Sequence, residues 1–171
     1  NQVEYFGRGP AENYLDRNAG SMVGLYKSTA EELYFPYVRP QENGHHTDTR
    51  WVSLSTGKKG LLIQADNTIG FNALRNSIED FDDEEATGLS RQWSNFTPEQ
   101  VANHDEAAAK NVLRRQHHIN DITPRDFVEV CVDLKQQGVA GYDSWGSRPE
   151  PAYTLPANRE YNWGFTLIPL K

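Results

Sequence analysis

The sequence consists mostly of short apolar runs that end at glycine, proline or asparagine. The clearest run is residues 127–134, where valine or leucine recurs at every second position and Glu129 and Asp133 lie between them. A two-residue period places the apolar side chains on one face of a β-strand. The same reasoning predicts further strands at residues 3–6, 21–26, 50–55, 61–65, 69–74 and 161–170. We therefore predict a mainly β fold built as an antiparallel β-sandwich.

One segment departs from this pattern and predicts a helix. Thr97 can cap a helix, Pro98 suits the first helical position, and Gln100 completes a capping box. Alanine-rich, helix-favouring residues follow as far as Lys110. The sequence therefore predicts one short helix, at residues 98–110, inserted into the β domain.

Length and charge limit the domain organisation and the classes of partner. A chain of 171 residues fits a single domain, so we expect one domain over residues 1–171. The net charge of −7 argues against a nucleic-acid partner, and no apolar run approaches the roughly 20 residues of a membrane span. The chain begins inside a strand pattern at Asn1, without an initiator methionine, which indicates a piece of a longer protein.

Cysteine, histidine and acidic residues give weak signals for a metal site. The single cysteine, Cys131, excludes an internal disulfide, leaves the redox compartment undetermined, and is interpreted as a buried, inert thiol. The acidic run at residues 80–85 lacks the glycine and spacing of a calcium loop and is interpreted as a solvated loop. None of the five histidines has the helical spacing of a zinc site, so we predict no metal. His45 and His46 lie in a turn-rich segment from which they could reach a ligand.

Trp145 is the most unusual aromatic residue of the chain. Trp51 and Trp163 fall within strand patterns and are expected in the core. Trp145 instead lies in the loop at residues 141–149, which has no strand period to bury it. The sequence leaves two roles open for Trp145, namely contact with a ligand and packing against another domain.

Three motifs carry a family resemblance. They are Gly-Arg-Gly-Pro-Ala-Glu-Asn-Tyr-Leu-Asp-Arg at residues 7–17, Pro-Tyr-Val-Arg-Pro-Gln-Glu-Asn-Gly at residues 36–44 followed by Thr-Arg-Trp at 49–51, and Gly-Tyr-Asp-Ser-Trp-Gly at residues 141–146. In this order they closely resemble the C-terminal domain of family 2 β-galactosidases, which is the fifth or small-chain domain. The first two motifs are interpreted as turns that define the fold.

The resemblance implies a fold for this chain and catalytic residues that lie in another domain. The fold would be a supersandwich like that of galactose mutarotase, with this chain as its C-terminal half. The catalytic glutamates and the magnesium and sodium sites of the family lie in a separate barrel domain, so no catalytic residue and no cofactor is expected in this fragment. By position, Trp145 would line the galactose pocket, with Asp143, Ser144, His45 and His46 as further candidates for substrate contact.

The same resemblance implies partners and leaves alternatives. The expected partners are a galactoside substrate and the catalytic barrel of the same chain, with homo-oligomer formation of the full-length enzyme left open. Residues 78–92 look like an insertion relative to shorter family members. Two other functions stay open: a free-standing carbohydrate-binding module, and a mutarotase-like epimerase using a histidine such as His45 or His118. The sequence does not distinguish a cytoplasmic from a periplasmic location.

Overall fold

A computed structural model describes residues 1–38, 40–57, 59–81, 119–143 and 145–171. The chain divides into two compact units. The first comprises Asn1–Phe35, Asn43–Arg75 and Asp126–Lys171, and the second comprises the described residues of Pro36–Glu42 and Asn76–Arg125. The helix expected at residues 98–110, together with His104, His117, His118 and Trp93, lies outside the described residues.

The first unit is built on one antiparallel sheet, as the alternating pattern predicts. Its six strands are β1 (Gln2–Gly9), β2 (Met22–Thr29), β3 (His46–Thr56), β4 (Lys59–Leu74), β5 (Glu129–Asp133) and β6 (Phe165–Leu170). The order is β2-β1-β3-β4-β5, and β6 also pairs with β4. Every pairing is antiparallel. The mainly β, antiparallel prediction is thus confirmed, whereas the sandwich and its supersandwich form stay predictions.

Within the described ranges, helical structure is limited to three single 3-10 turns. They are Ile78–Asp80, Ile119–Asp121 and Pro151–Tyr153. The last of these begins at a proline, whose fixed φ suits the first position of a helical turn. It lies in the first unit, directly after the loop that carries Trp145.

Strand β4 corrects the predicted break at residues 66–68. The Asp-Asn-Thr sequence there predicts a turn between two strands, yet the structure has one strand of 16 residues. The register explains the difference, because Trp51 pairs with Gln64 and Thr49 pairs with Ile69. Two steps along β3 therefore face five steps along β4, and the polar residues occupy a bulge. At the same place the outer neighbour of β4 changes from β6 to β5.

The two faces of the sheet differ in burial. Tyr5, Val52 and Ile63 are neighbours across three strands, and each is at most 3% exposed. On the opposite face Phe6 pairs with Leu25, which is 59% exposed. The alternation along β1 thus separates a core face from an outer face that carries several apolar side chains.

Two tryptophans and the cysteine are more exposed than the sequence predicts. Trp51 is half-buried on the outer face, and Trp163 is 45% exposed. The prediction that Trp163 is a core residue is wrong because the face of Trp163, Phe165 and Leu167 that the alternation selects is exposed, within β6 as well as before it. Cys131 is half-buried in β5, rather than fully buried.

The difference between the two faces yields a prediction about stability. Ile63→Ala should lower the free energy of unfolding by about 2–5 kcal/mol, because it leaves a cavity in the core face. Leu25→Ala, a matched control on the outer face, should cost less than about 1 kcal/mol. Urea unfolding measures both values. Equal losses for the two variants would show that the faces are not packed as described.

Candidate functional site

Trp145 lies at the surface and is held there by its own loop. It is 93% exposed, more than any other large apolar residue in the described ranges. Its backbone N–H donates to Asp143 Oδ1 at 2.7 Å, and the N–H of Tyr142 donates to Ser147 Oγ at 3.1 Å. The loop, which has no strand period, leaves Trp145 unburied, and its conformation rests on polar contacts rather than on burial of the indole ring. Ser144 lies outside the described residues.

The base of this loop is attached to a distant turn by one carboxylate. Asp16 Oδ1 accepts a hydrogen bond from the N–H of Val139 at 3.0 Å, and Asp16 Oδ2 accepts one from the N–H of Ala140 at 2.8 Å. A side chain at Gly138 would overlap this carboxylate, so glycine permits the close approach. The N–H of Gly138 also donates to the carbonyl of Tyr153 at 2.8 Å.

Asp16 owes its position to a tight turn in the first motif. The N–H of Tyr14 donates to the carbonyl of Arg17 at 3.3 Å, and the N–H of Arg17 donates to the carbonyl of Tyr14 at 2.9 Å. Asp16 is therefore the third residue of a four-residue turn whose first and last residues are joined by two backbone hydrogen bonds. Short polar side chains are typical of such positions, and here the carboxylate points away from its own turn to the loop of Trp145.

Glu12 joins the first motif to the second. Its side chain is almost fully buried, and its Oε2 accepts a hydrogen bond from the N–H of Gly44 at 2.7 Å. Its other oxygen pairs with Arg17. Gly44 has a φ of 74°, a left-handed conformation that glycine adopts readily. A buried carboxylate paired in this way fixes the Glu-Asn-Gly turn against the Tyr-Leu-Asp-Arg turn.

The side-chain amide of Asn13 forms four hydrogen bonds, two as donor and two as acceptor. Its Nδ2 donates to the carbonyls of Arg8 and Ala11, each at 3.1 Å. Its Oδ1 accepts from the N–H and the hydroxyl of Thr47, at 3.0 and 2.6 Å. Because the side chain is fully buried, losing any of these partners would leave a desolvated polar group.

His46 is a core residue of the same region. It is 1% exposed and packs between Tyr5 and Phe71, with ring centroids 4.8 and 5.2 Å away. Its Nδ1 lies 2.9 Å from the carbonyl of Gly44, and its Nε2 lies 3.2 Å from the carbonyl of Pro10. Burial lowers the pKa of His46. In the neutral ring only one nitrogen carries a proton, so it can donate to only one of the two carbonyls.

His45 is also buried, but neither ring nitrogen has a hydrogen-bond partner among the described residues. Its ring stacks on Tyr14 with centroids 5.5 Å apart, and Nδ1 lies 4.0 Å from Asp133 Oδ2. Gly70 leaves the space that the ring fills. Burial, with a smaller effect of His46, lowers the pKa of His45 to about 4. Burial also raises the pKa of Asp133.

The structure separates the candidate site residues into two groups. Asp143 and Trp145 lie together in the exposed loop. His45 and His46 lie in the interior, with 0% and 1% exposure, and such side chains offer no surface to a sugar. Sequence reasoning missed Asp16, because an aspartate in a short turn predicts only a local backbone contact, whereas its partners lie 123 and 124 residues along the chain.

The described residues contain no group of three or more side chains that could hold a metal ion. Of the acidic run at residues 80–85, only Asp80 and Phe81 are described, and both are buried. Asp80 forms an ion pair with Arg125 within the second unit, so the interpretation as a solvated loop is wrong for this residue. No helix in the described ranges is long and apolar enough to cross a membrane.

The environment of His45 predicts a dependence of stability on pH. Its pKa is about 4 in the folded chain and ordinarily 6.5, so between these values the unfolded chain binds more protons. The free energy of unfolding should therefore decrease as the pH is lowered. The contribution of this ring to the decrease should be about 2 kcal/mol between pH 6.5 and pH 5. His46 acts in the same direction, whereas the raised pKa of Asp133 opposes both.

His45→Gln isolates the contribution of His45 because it removes the titrating ring and keeps the other groups. Urea unfolding at pH 6.5 and pH 5 should show a smaller loss of stability for the variant than for the original chain. An equal loss in both proteins would contradict the burial of a neutral His45.

Comparison with known proteins is consistent with this arrangement. The family described as "Beta galactosidase small chain" matches residues 1–167. A protein named "Beta-galactosidase" from Priestia megaterium is 35% identical over 169 residues, which are 98% of this chain and 13% of the relative. One of the same name from Streptococcus thermophilus is 29% identical over 170 residues, again 98% of this chain and 14% of the relative.

A third relative, a "Beta-galactosidase" from Arthrobacter sp. strain B7, is 42% identical over 84 residues, 46% of this chain and 8% of the relative. The chain thus spans about an eighth of the length of the relatives that it matches almost throughout. The match covers all three motifs and the sheet except the last three residues of β6. On the strength of the family match, this chain belongs to the β-galactosidase small-chain family.

Proposed function

We propose that this chain is an accessory domain of a β-galactosidase and that it completes the sugar pocket with Trp145. The proposal is supported by the family match over residues 1–167 and by relatives that are themselves named β-galactosidase. The chain matches only a small part of each relative, as expected for one domain of a larger enzyme. Packing against the catalytic barrel of the same polypeptide is part of the proposal.

The exposure of Trp145 carries the proposal. Burying a large aromatic ring is favourable, so a ring that is 93% exposed on a hydrogen-bonded loop has an unfilled contact surface. The C–H face of a galactopyranose is apolar and matches an indole ring in size, while its hydroxyls can bond to polar groups nearby. A loop that projects an indole ring from its own domain can therefore provide one wall of a sugar site completed by another domain.

The chemistry of hydrolysis would be supplied outside this chain. Retaining glycosidases use two carboxyl groups on opposite sides of the scissile bond, one as nucleophile and one as acid–base. The resemblance puts both, together with magnesium and sodium, in the barrel. The described residues offer no cluster that fits a bound metal ion, so no step is assigned to one here.

Truncation tests this division of labour. The isolated 171-residue chain should show no hydrolysis of nitrophenyl β-galactoside, because it lacks the two carboxyl groups. It should also bind galactose only weakly, since one aromatic wall does not make a pocket. Saturable binding of galactose or lactose by the isolated chain, followed by tryptophan fluorescence, would favour a free-standing carbohydrate-binding module instead.

Substitution of Trp145 in the full-length enzyme tests the pocket. Trp145→Ala should lower kcat/KM for a galactoside by about tenfold to a hundredfold, as expected for the loss of about 1.5–3 kcal/mol of apolar contact. Most of the effect should fall on KM, because a pocket wall binds the sugar before and during reaction. Leu25→Ala, which removes another exposed apolar side chain, serves as the control and should leave both constants unchanged. Unaltered kinetics in Trp145→Ala would remove Trp145 from the site.

A further inference from the structure

We propose that Asp16 is a positioning residue that holds the Trp145 loop in place. The inference rests on the proposed function, since it concerns how Trp145 is presented to the sugar. Asp16 is separated from the loop by more than 120 residues of sequence, and both of its carboxylate oxygens are used to bind the loop base. No function had been assigned to it from the sequence.

The geometry of the two hydrogen bonds makes the contact a clamp. Asp16 Oδ1 and Oδ2 accept from the adjacent N–H groups of Val139 and Ala140, at 3.0 and 2.8 Å. Two bonds from adjacent N–H groups to the two oxygens of one carboxylate constrain both the distance and the orientation of the peptide that they hold. A single bond would leave the loop free to rotate about it.

The backbone at the loop base shows why a clamp is needed. Ala140 has a φ of 54° and Gly141 a φ of 84°, so two successive residues are in the left-handed region. That conformation is unfavourable for alanine, and such conformations persist where surrounding contacts fix them. The bond from the N–H of Ala140 to Asp16 is such a contact.

The other side of the clamp is rigid. The turn that carries Asp16 is closed by two backbone hydrogen bonds between Tyr14 and Arg17. It is attached to the core through Glu12, which binds Gly44, and through the fully buried Asn13. Trp145 itself has almost no buried surface to fix it. The position of the indole ring therefore depends on contacts at the loop base, and Asp16 provides two of them.

Asp16→Asn in the full-length enzyme tests the clamp. The amide has nearly the shape of the carboxylate, but its nitrogen cannot accept a hydrogen bond and would face a backbone N–H. kcat/KM should fall by about three- to tenfold, mostly through KM, and by no more than in Trp145→Ala. Glu4→Gln is the matched control, because the Glu4 side chain forms an exposed ion pair with Lys27 at 3.3 Å and no other ion pair among the described residues.

A double-mutant cycle separates positioning from a general structural effect. In a Trp145→Ala background, Asp16→Asn should have no further effect on kcat/KM, because the clamp acts through the missing ring. The same fold-loss with and without Trp145 would overturn the proposal.

Hydrogen exchange provides a readout that does not depend on activity. In Asp16→Asn, amides of residues 139–147 should exchange faster, while those of β3 should be unchanged. Unchanged exchange in the loop would overturn the proposal. If Trp145→Ala leaves kinetics unaltered while Asp16→Asn still loosens the loop, the role of Trp145 at the sugar fails and the clamp stands.

Discussion

The structure depends most on the buried polar contacts of the turn that follows β1. Glu12 and Asn13 are removed from water, and each is bonded to backbone groups from other parts of the first unit. A buried carboxylate or amide without partners would be strongly unfavourable, so these contacts admit one arrangement of the surrounding chain. They hold the first motif against Gly44 and Thr47. Asp16, a few residues further along, binds the N–H groups of Val139 and Ala140 at the base of the Trp145 loop.

Two glycines permit the close approaches on which this arrangement depends. None of the residues in these contacts needs to touch a substrate. Glycine at residue 44 allows the N–H to approach Glu12, and glycine at residue 138 allows the loop to approach Asp16. Within the first unit, these contacts link the first motif to Gly44 and to the base of the loop that carries Trp145. In the proposed enzyme, a Trp145 loop that is held in place before the sugar binds would lose little conformational entropy on binding.

The sequence predicted the antiparallel sheet well. Short apolar runs between turn residues located all six strands, although a clean two-residue alternation of burial is seen only in β1. The prediction was wrong at residues 66–68, where a turn was expected within what is one strand. Turns and bulges favour the same polar residues, and only the pairing with β3 distinguishes them. Trp145 was recognisable because a large ring in a glycine-rich loop has no local core to fill.

The roles of His45, His46 and Asp16 were not visible in the sequence. A turn-rich segment around the two histidines suggested a surface, yet long-range packing by Tyr14, Tyr5 and Phe71 buries both rings. Asp16 acts on a loop far along the chain, and no local pattern records such a contact. Burial and long-range hydrogen bonding are properties of the tertiary structure, so a local reading could not assign these residues.

We propose that Trp145 belongs to a sugar site shared with another domain. A crystal structure of the full-length protein with a non-hydrolysed galactoside would show whether it does. The account predicts the indole ring in contact with the C–H face of the galactose ring, within about 4.5 Å, and Asp16 bound to the N–H groups of Val139 and Ala140. A galactoside bound with Trp145 turned to solvent, or buried in an interface away from the sugar, would contradict it.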